Sequence, residues 1–266
     1  MLPSSFALRP ILPAICATLL ALPAWADDLP PGLASARLLP GWTDEAGRRV
    51  LALELDLEPG WKTYWRSPGD SGLPPDFDWT RSANLARVHL HWPAPDAIDS
   101  GDAREMGYRD RLVLPLTAEA ADPADPMRIA VDIDLGLCEN ICVPAHLTLD
   151  APAPGAAPDP AILTALKAEP KRLDALPRCD VTPIADGVRV AMHPPVKGVE
   201  LAAIELTGRP EIWVSGADLN DTPDGPEAVV EMVGPTAAPF DLDRSRLRLT
   251  MVTADGAVET QGCAAD

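Results

Sequence analysis

Cys138 and Cys142 are the residues best equipped for chemistry in this chain of 266 residues. They stand in Leu135-Gly136-Leu137-Cys138-Glu139-Asn140-Ile141-Cys142-Val143-Pro144, and two such close thiols suit thiol–disulfide exchange or a soft metal ion. Over residues 127–135, Ile129, Val131, Ile133 and Leu135 alternate with Arg128, Ala130, Asp132 and Asp134, the period of a half-buried strand. A second run sets Leu147 and Leu149 against His146 and Thr148. Glu139-Asn140-Ile141 is therefore predicted to be a short hairpin connection with one cysteine on each shoulder. Facing Cα atoms there lie roughly 4.5–5.5 Å apart, within the reach of a disulfide.

The first 26 residues read as a secretory leader, with Arg9 as its positive start, an apolar stretch over 11–22 and Ala24-Trp25-Ala26 as the cleavage site. Its removal discards Cys16 and one Arg, leaving Cys138, Cys142, Cys179 and Cys263 and a formal charge of 21 − 40 = −19. An even cysteine count in an exported chain predicts two disulfides in an oxidising compartment. No later stretch is long and apolar enough for a membrane helix, so no stable membrane insertion is expected. The acidity argues against nucleic acid as a partner. The remaining 266 − 26 = 240 residues suit two domains.

Abundant Pro, few aromatics and no long amphipathic pattern predict an all-β architecture. Leu51, Leu53, Leu55 and Leu57 share one face, with Glu54, Asp56 and Glu58 on the other, until Pro59-Gly60 stops the run. An aromatic segment, Trp61 to Trp65, then breaks into a Gly/Pro-rich loop that ends at Pro75. Further strands are expected at 77–79, 88–92 and 112–116. Trp42, Trp61, Trp65, Trp79 and Trp92 supply a core for a sandwich of about 120 residues. The Ala/Pro-rich run 151–160 reads as a semi-rigid linker, followed by a short helix capped by Asp159 and running through Leu166, with an extension past Pro170 to Leu176 left open. Strands at 188–192, 201–206, 212–214, 228–233, 247–252 and 258–260 predict a second, smaller sandwich over 178–266. The first domain is placed at 27–150 and the joint at 151–177.

The two cysteine pairs have different prospects. In the chain-entropy picture, closing the long loop from Cys179 to Cys263 contributes roughly 4.5 kcal/mol, against about 2 for the short loop from Cys138 to Cys142. Cys179–Cys263 brackets the second domain and is expected to be structural. A tight bridge beside Glu139 and Asn140 is expected to be exposed and exchangeable, with Glu139 raising the thiol pKa by repulsion. A plain hairpin clip remains the alternative.

Three motifs in order resemble the N-terminal domain of the thiol:disulfide interchange protein DsbD, and more closely the related ScsB proteins linked to copper tolerance. They are Pro59-Gly60-Trp61-Lys62-Thr63-Tyr64-Trp65, Gly107-Tyr108-Arg109-Asp110-Arg111-Leu112-Val113-Leu114-Pro115-Leu116, and Gly136-Leu137-Cys138 with Cys142-Val143-Pro144. The resemblance implies an immunoglobulin-like β-sandwich in the periplasm carrying one redox-active pair, Cys138 and Cys142, with Cys142 opening mixed disulfides. It implies Tyr64 beside the cysteines, and a cap loop over 103–107. Tyr64, Glu105, Met106 and Tyr108 are then the cap and partner-binding residues. Its implied partners are a membrane thiol–disulfide electron carrier and periplasmic isomerase or thioredoxin-fold proteins, including those of cytochrome c biogenesis. The family carries an aromatic where this chain has Met106. The family's membrane and thioredoxin domains have no counterpart in these residues, so the donor is expected to be a separate protein. No cofactor is implied.

The competing class is a non-catalytic periplasmic binding module, for copper or for a protein, with an inert Cys138–Cys142 bridge. Cys138, Cys142, Met106 and His146 form a conceivable Cu(I) set. His89 with His91, and Asp70, Asp76 and Asp78, read more simply as exposed strand and loop residues. Sugar stacking by the tryptophan-rich loop is the lesser reading, since core packing explains most of its rings. No phosphate loop, G-x-S-x-G, H-E-x-x-H or triad occurs, which removes hydrolase readings.

Overall fold

The computed structural model describes residues 29–101, 103–223 and 225–265; the expected leader with its Cys16 lies outside them. The first half of the chain forms β1 (Leu33–Thr43), β2 (Arg49–Leu57), β3 (Lys62–Tyr64), β4 (Asp76–Asp78), β5 (Leu85–Leu90), β6 (Asp96–Ser100), β7 (Ala103–Arg109), β8 (Arg111–Ala120), β9 (Ala130–Cys138) and β10 (Cys142–Asp150). One sheet runs β1-β2-β8-β5 and the facing one β10-β9-β3-β7-β6, with β4 also on β9. Leu51, Leu53 and Leu55 from one sheet and Val131, Ile133, Leu135 and Leu137 from the other meet in the core with Trp65 and Trp92. This is the packing that period-2 alternation demands of two facing sheets.

β2 is buried on both faces, not one. Its second face, Val50 and Ala52, packs with Leu39 against Ile162 of the helix α1 (Pro160–Leu166). Glu54, expected to face solvent, is 1% exposed and lies between the guanidinium groups of Arg37 and Arg111. The helix ends at Leu166, and the optional extension past Pro170 does not form. Asp159 caps it, accepting from the N–H groups of Ala161 and Ile162. Beyond Pro170, which cannot continue a helix, the chain becomes β11 (Lys171–Arg172), parallel to a strand of the second half. The 151–158 stretch is not a free tether, since Gly155 N–H donates to Gly41 O and Arg49 to Pro152 O.

The second half continues with β12 (Arg178–Pro183), β13 (Gly187–Met192), β14 (Val199–Leu206), β15 (Trp213–Val214), β16 (Asp218–Thr222), β17 (Gly225–Val233), β18 (Leu247–Thr253), β19 (Gly256–Gln261) and β20 (Ala264–Ala265). Its sheets run β11-β19-β18-β14 and β15-β17-β13-β12-β20, with β16 on β17. The architecture is all-β: an immunoglobulin-like sandwich followed by a smaller one.

Alternation along β14 serves two cores at once. Ala202, Ile204 and Leu206 enter the second core, while Ala203 joins the first, with Val252 and Ala257 beside it. Small residues let the sheets approach closely. At the rim of this contact Arg66, stacked on the Trp65 ring at 3.9 Å, bonds Glu205 at 3.1 Å and Glu259 at 2.7 Å. Arg248 bonds Glu205 from the other side at 2.7 Å. Burial raises the Glu205 carboxyl pKa, but the Arg66 and Arg248 guanidinium groups outweigh it and hold that carboxyl below its ordinary range.

Candidate thiol–disulfide site

β9 ends on Cys138 and β10 begins on Cys142. The two are direct cross-strand partners with Cα atoms 4.2 Å apart, and their sulfurs are joined. Leu135 and Leu137 of β9 point into the core, so alternation puts Gly136 and Cys138 on the outer face of the sheet. Access to the sulfurs is unequal: Cys138 is 2% exposed, whereas Cys142 is exposed, as is Ile141 beside it.

The cover over Cys138 follows from strand pairing. Thr63 of β3 pairs with Leu137, and Asp76 of β4 with Asp134. Both strands therefore use one edge of β9, and the 65–75 loop must leave that edge and return to it. On its way back it crosses the outer face, where a Cβ on Gly136 would stand 2.9 Å from Leu73 Cβ and 3.0 Å from the Tyr64 ring. A Cβ on Gly72 would stand 2.9 Å from the ring's Cδ1. Tyr64 thus lies between two glycines that provide room, not a special backbone angle.

So held, the Tyr64 hydroxyl reaches both sulfurs, 2.9 Å from Cys138 Sγ and 3.1 Å from Cys142 Sγ. Disulfide sulfurs carry no proton, so the hydroxyl donates. Burial, reinforced by the neighbouring Glu105 carboxylate, pushes the phenol up to about 12, and it stays a donor across the range in which thiols titrate. Toward a thiolate the same bond becomes charge-assisted, which favours the ionised sulfur.

Behind the tyrosine lies a buried ion pair. Lys62 is cross-strand from Cys138; its Nζ donates to Glu105 and, at 2.8 Å, to Ser100 Oγ. The two side chains are 5% and 3% exposed. Sequence reasoning did not single out Lys62, Gly72 or Gly136. The one available signal was a glycine inside a strand pattern, which marks a close approach.

Other expectations are redistributed. Residues 103–107 are not a loop but part of β7, hydrogen-bonded to β6 and β3. An expected cap thus becomes an interior strand of its sheet, and the 65–75 loop provides the cover. Met106 and Tyr108 alternate away from Glu105 into the first core, and the Tyr108 hydroxyl donates to Pro93 O at 2.8 Å. Met106 consequently cannot join His146 and the cysteines around one copper ion. His146 Nδ1 lies 2.8 Å from Asp134, and His91 Nδ1 lies 2.8 Å from Glu169. Asp70 accepts from Gly216 N–H, whereas Asp78 accepts from Thr80 N–H and Asp76 sits in β4; the three share no site. Among the described residues no group of three or more His, Cys, Asp or Glu could hold a metal ion. Glu139 lies over Gly60, where a Cβ would stand 3.1 Å from its Oε1. Cys179 and Cys263 are both buried and joined, linking the start and end of the second sandwich.

Fold and site together define a tandem β-sandwich protein with a half-shielded cysteine pair on the outer face of its first unit. Residues 35–154 match the family model described as thiol:disulfide interchange protein DsbD, N-terminal. The match spans less than half of the chain, and it makes the first sandwich similar to that N-terminal domain. In fold the chain is similar to the N-terminal periplasmic domain of ScsB from Proteus mirabilis, at 22% identity over 85% of this chain and 91% of that one, with a TM-score of 0.58. No curated protein matches. Among the described residues no helix is long and apolar enough to cross a membrane.

Proposed function

We propose that Cys138 and Cys142 exchange disulfides with other proteins in the periplasm, passing reducing equivalents between a membrane thiol–disulfide carrier and periplasmic disulfide proteins of the isomerase or thioredoxin-fold kind. The observation that carries this reading is the unequal access of two joined sulfurs under one shared hydroxyl. In the reduced protein Cys142, the exposed sulfur, attacks a partner's disulfide as the thiolate, and one partner sulfur leaves. A mixed disulfide results. Cys138 then attacks Cys142 Sγ, expels the second partner sulfur and re-forms the Cys138–Cys142 bond. Two electrons and two protons pass to the partner. An electron donor runs the same steps in reverse.

In this reading residues 1–26 are the leader, 27–150 the redox domain, 151–177 the joint and 178–266 a domain that positions the partner and is stapled by Cys179–Cys263. Tyr64 and Glu105 act at the cysteines. Met106 and Tyr108 support the sheet from the core side.

The test is acid-trapped alkylation of the protein in its own periplasm, with mass spectrometry of the peptide holding both cysteines. A substantial reduced fraction, with Cys179–Cys263 fully oxidised, is the expected result. Full oxidation of both pairs, with no partner trapped through Cys142 by Cys138→Ser, makes the bridge a clip and the chain a binding module.

A further inference from the structure

Exchange at this site poses a problem that Tyr64 alone does not solve. Cys138 must become a thiolate to resolve the mixed disulfide, yet it is 2% exposed. Water has little access to remove its proton, and a bare buried anion is costly. The exposed Cys142 has no such difficulty.

We infer that the Lys62–Glu105 pair is the proton acceptor and counter-ion of Cys138, working through the Tyr64 hydroxyl; the inference rests on the exchange reading above. Three placements carry it. Lys62 faces Cys138 directly across β3 and β9. The Tyr64 hydroxyl touches Cys138 Sγ at 2.9 Å. Glu105 is bonded to Lys62, whose Nζ stands 5.7 Å from the centre of the Tyr64 ring, and its charge adds to the burial that raises that phenol. As Cys138 ionises, its proton passes to the tyrosine oxygen while the tyrosine proton passes to Glu105. Lys62 then faces a thiolate in place of a carboxylate. One anion replaces another, so the net charge of the buried cluster is unchanged. This explains why an ion pair that contributes little to stability is kept beside a disulfide. In the bond-making step Cys138 Sγ joins Cys142 Sγ, the Cys142–partner bond breaks, the leaving sulfur takes up a proton from solvent, and Glu105 returns the proton it holds to solvent and restores the ion pair. When a donor attacks Cys142, Cys138 leaves as the thiolate and is protonated by a proton that enters from solvent by way of Glu105 and Tyr64.

The surroundings leave few rival groups. Lys62 and Tyr64 face Glu105 from β3. Ile98 pairs with it from β6, where Ser100 accepts from Lys62, and neither titrates; Asp96 pairs farther along, with Gly107. On β7 itself Arg109 is exposed and stands opposite Lys62. From β9 the nearest titratable group is Cys138, and Glu139 lies over Gly60.

The test uses the reduced full-length protein and an aromatic disulfide reagent whose thiolate is coloured. The first thiolate released reports attack by Cys142, and the second reports resolution by Cys138. In Lys62→Met/Glu105→Leu, which replaces both charges by apolar groups, the first phase serves as the reference for the second and should change far less. The second should slow at neutral pH by about a hundredfold, the lower range for a positioned acid–base group, and recover as the pH is raised. A structural role alone would not separate the phases. Glu105→Gln gives the same readout with the shape retained, should the double variant fail to fold. If the second phase in a folded variant keeps the wild-type rate and pH profile, the inference is overturned. If the wild-type protein shows no first phase, the exchange reading fails instead.

Discussion

Tyr64→Phe is the sharpest probe of the site. It removes one oxygen and no carbon, so the ring keeps its place between Gly72 and Gly136. What is lost is the donor that lies 3.1 Å from Cys142 Sγ. A hydrogen bond to a charged group contributes about 1.5–3 kcal/mol, and 1.36 kcal/mol corresponds to about one pKa unit. The Cys142 thiol pKa should therefore rise by about 1–2 units. Since the lost bond stabilises the reduced form more than the disulfide, the reduction potential should fall by about 30–60 mV. The thiol is best titrated in a Cys138→Ser background, where one free thiol remains and titration is not coupled. The pH dependence of its alkylation rate gives the pKa directly. A shift smaller than about 0.3 units in a protein with an unchanged circular dichroism spectrum would refute the reasoning, because a donor at that distance cannot be without effect on a thiolate.

Gly136→Ala drives a methyl group into Tyr64 and Leu73, and overpacking of this kind costs about 1–3 kcal/mol; a denaturation midpoint equal to wild type would show that the ring is not confined. Arg66→Ala leaves Glu205 and Glu259 with Arg248 alone, and small-angle scattering should record a larger radius of gyration if that cluster holds the sandwiches together. The high phenol pKa gives an alkaline signature. Tyr64 is raised to about 12 while the unfolded side chain ionises near 10, so its contribution is complete below pH about 10 and is lost as the pH rises through about 12. Denaturant titrations of wild type and Tyr64→Phe should converge in that interval, and parallel curves would count against the shift.

Much of the framework was readable in the chain. β9 and β10 announced themselves by alternation, which also put the cysteines on opposite shoulders of a turn. The Asp159 cap was legible because a carboxylate before a Pro-started apolar run has few other uses. β7 was not. Ala103-Arg104-Glu105-Met106-Gly107 lacks alternation of apolar with exposed polar residues, since Glu105 is a buried polar group satisfied by Lys62 from another strand. The same failure hid Glu54, which two arginines from neighbouring strands render burial-tolerant. Local pattern cannot register a partner that is distant in sequence.

By itself, the sequence determined the strand periods, the turn that brings Cys138 to Cys142, and the family motifs around them. Those are local quantities, set by side-chain alternation and turn chemistry. Which sulfur is shielded, which loop shields it, and which buried charges stand behind it were decided only when β3 and β4 took the same edge of β9. That pairing folds residues 65–75 across the sheet and lays Tyr64 between two glycines more than sixty residues apart in the chain. Non-local strand pairing, not composition, is what turns a cysteine hairpin into a site with one open sulfur and one closed one.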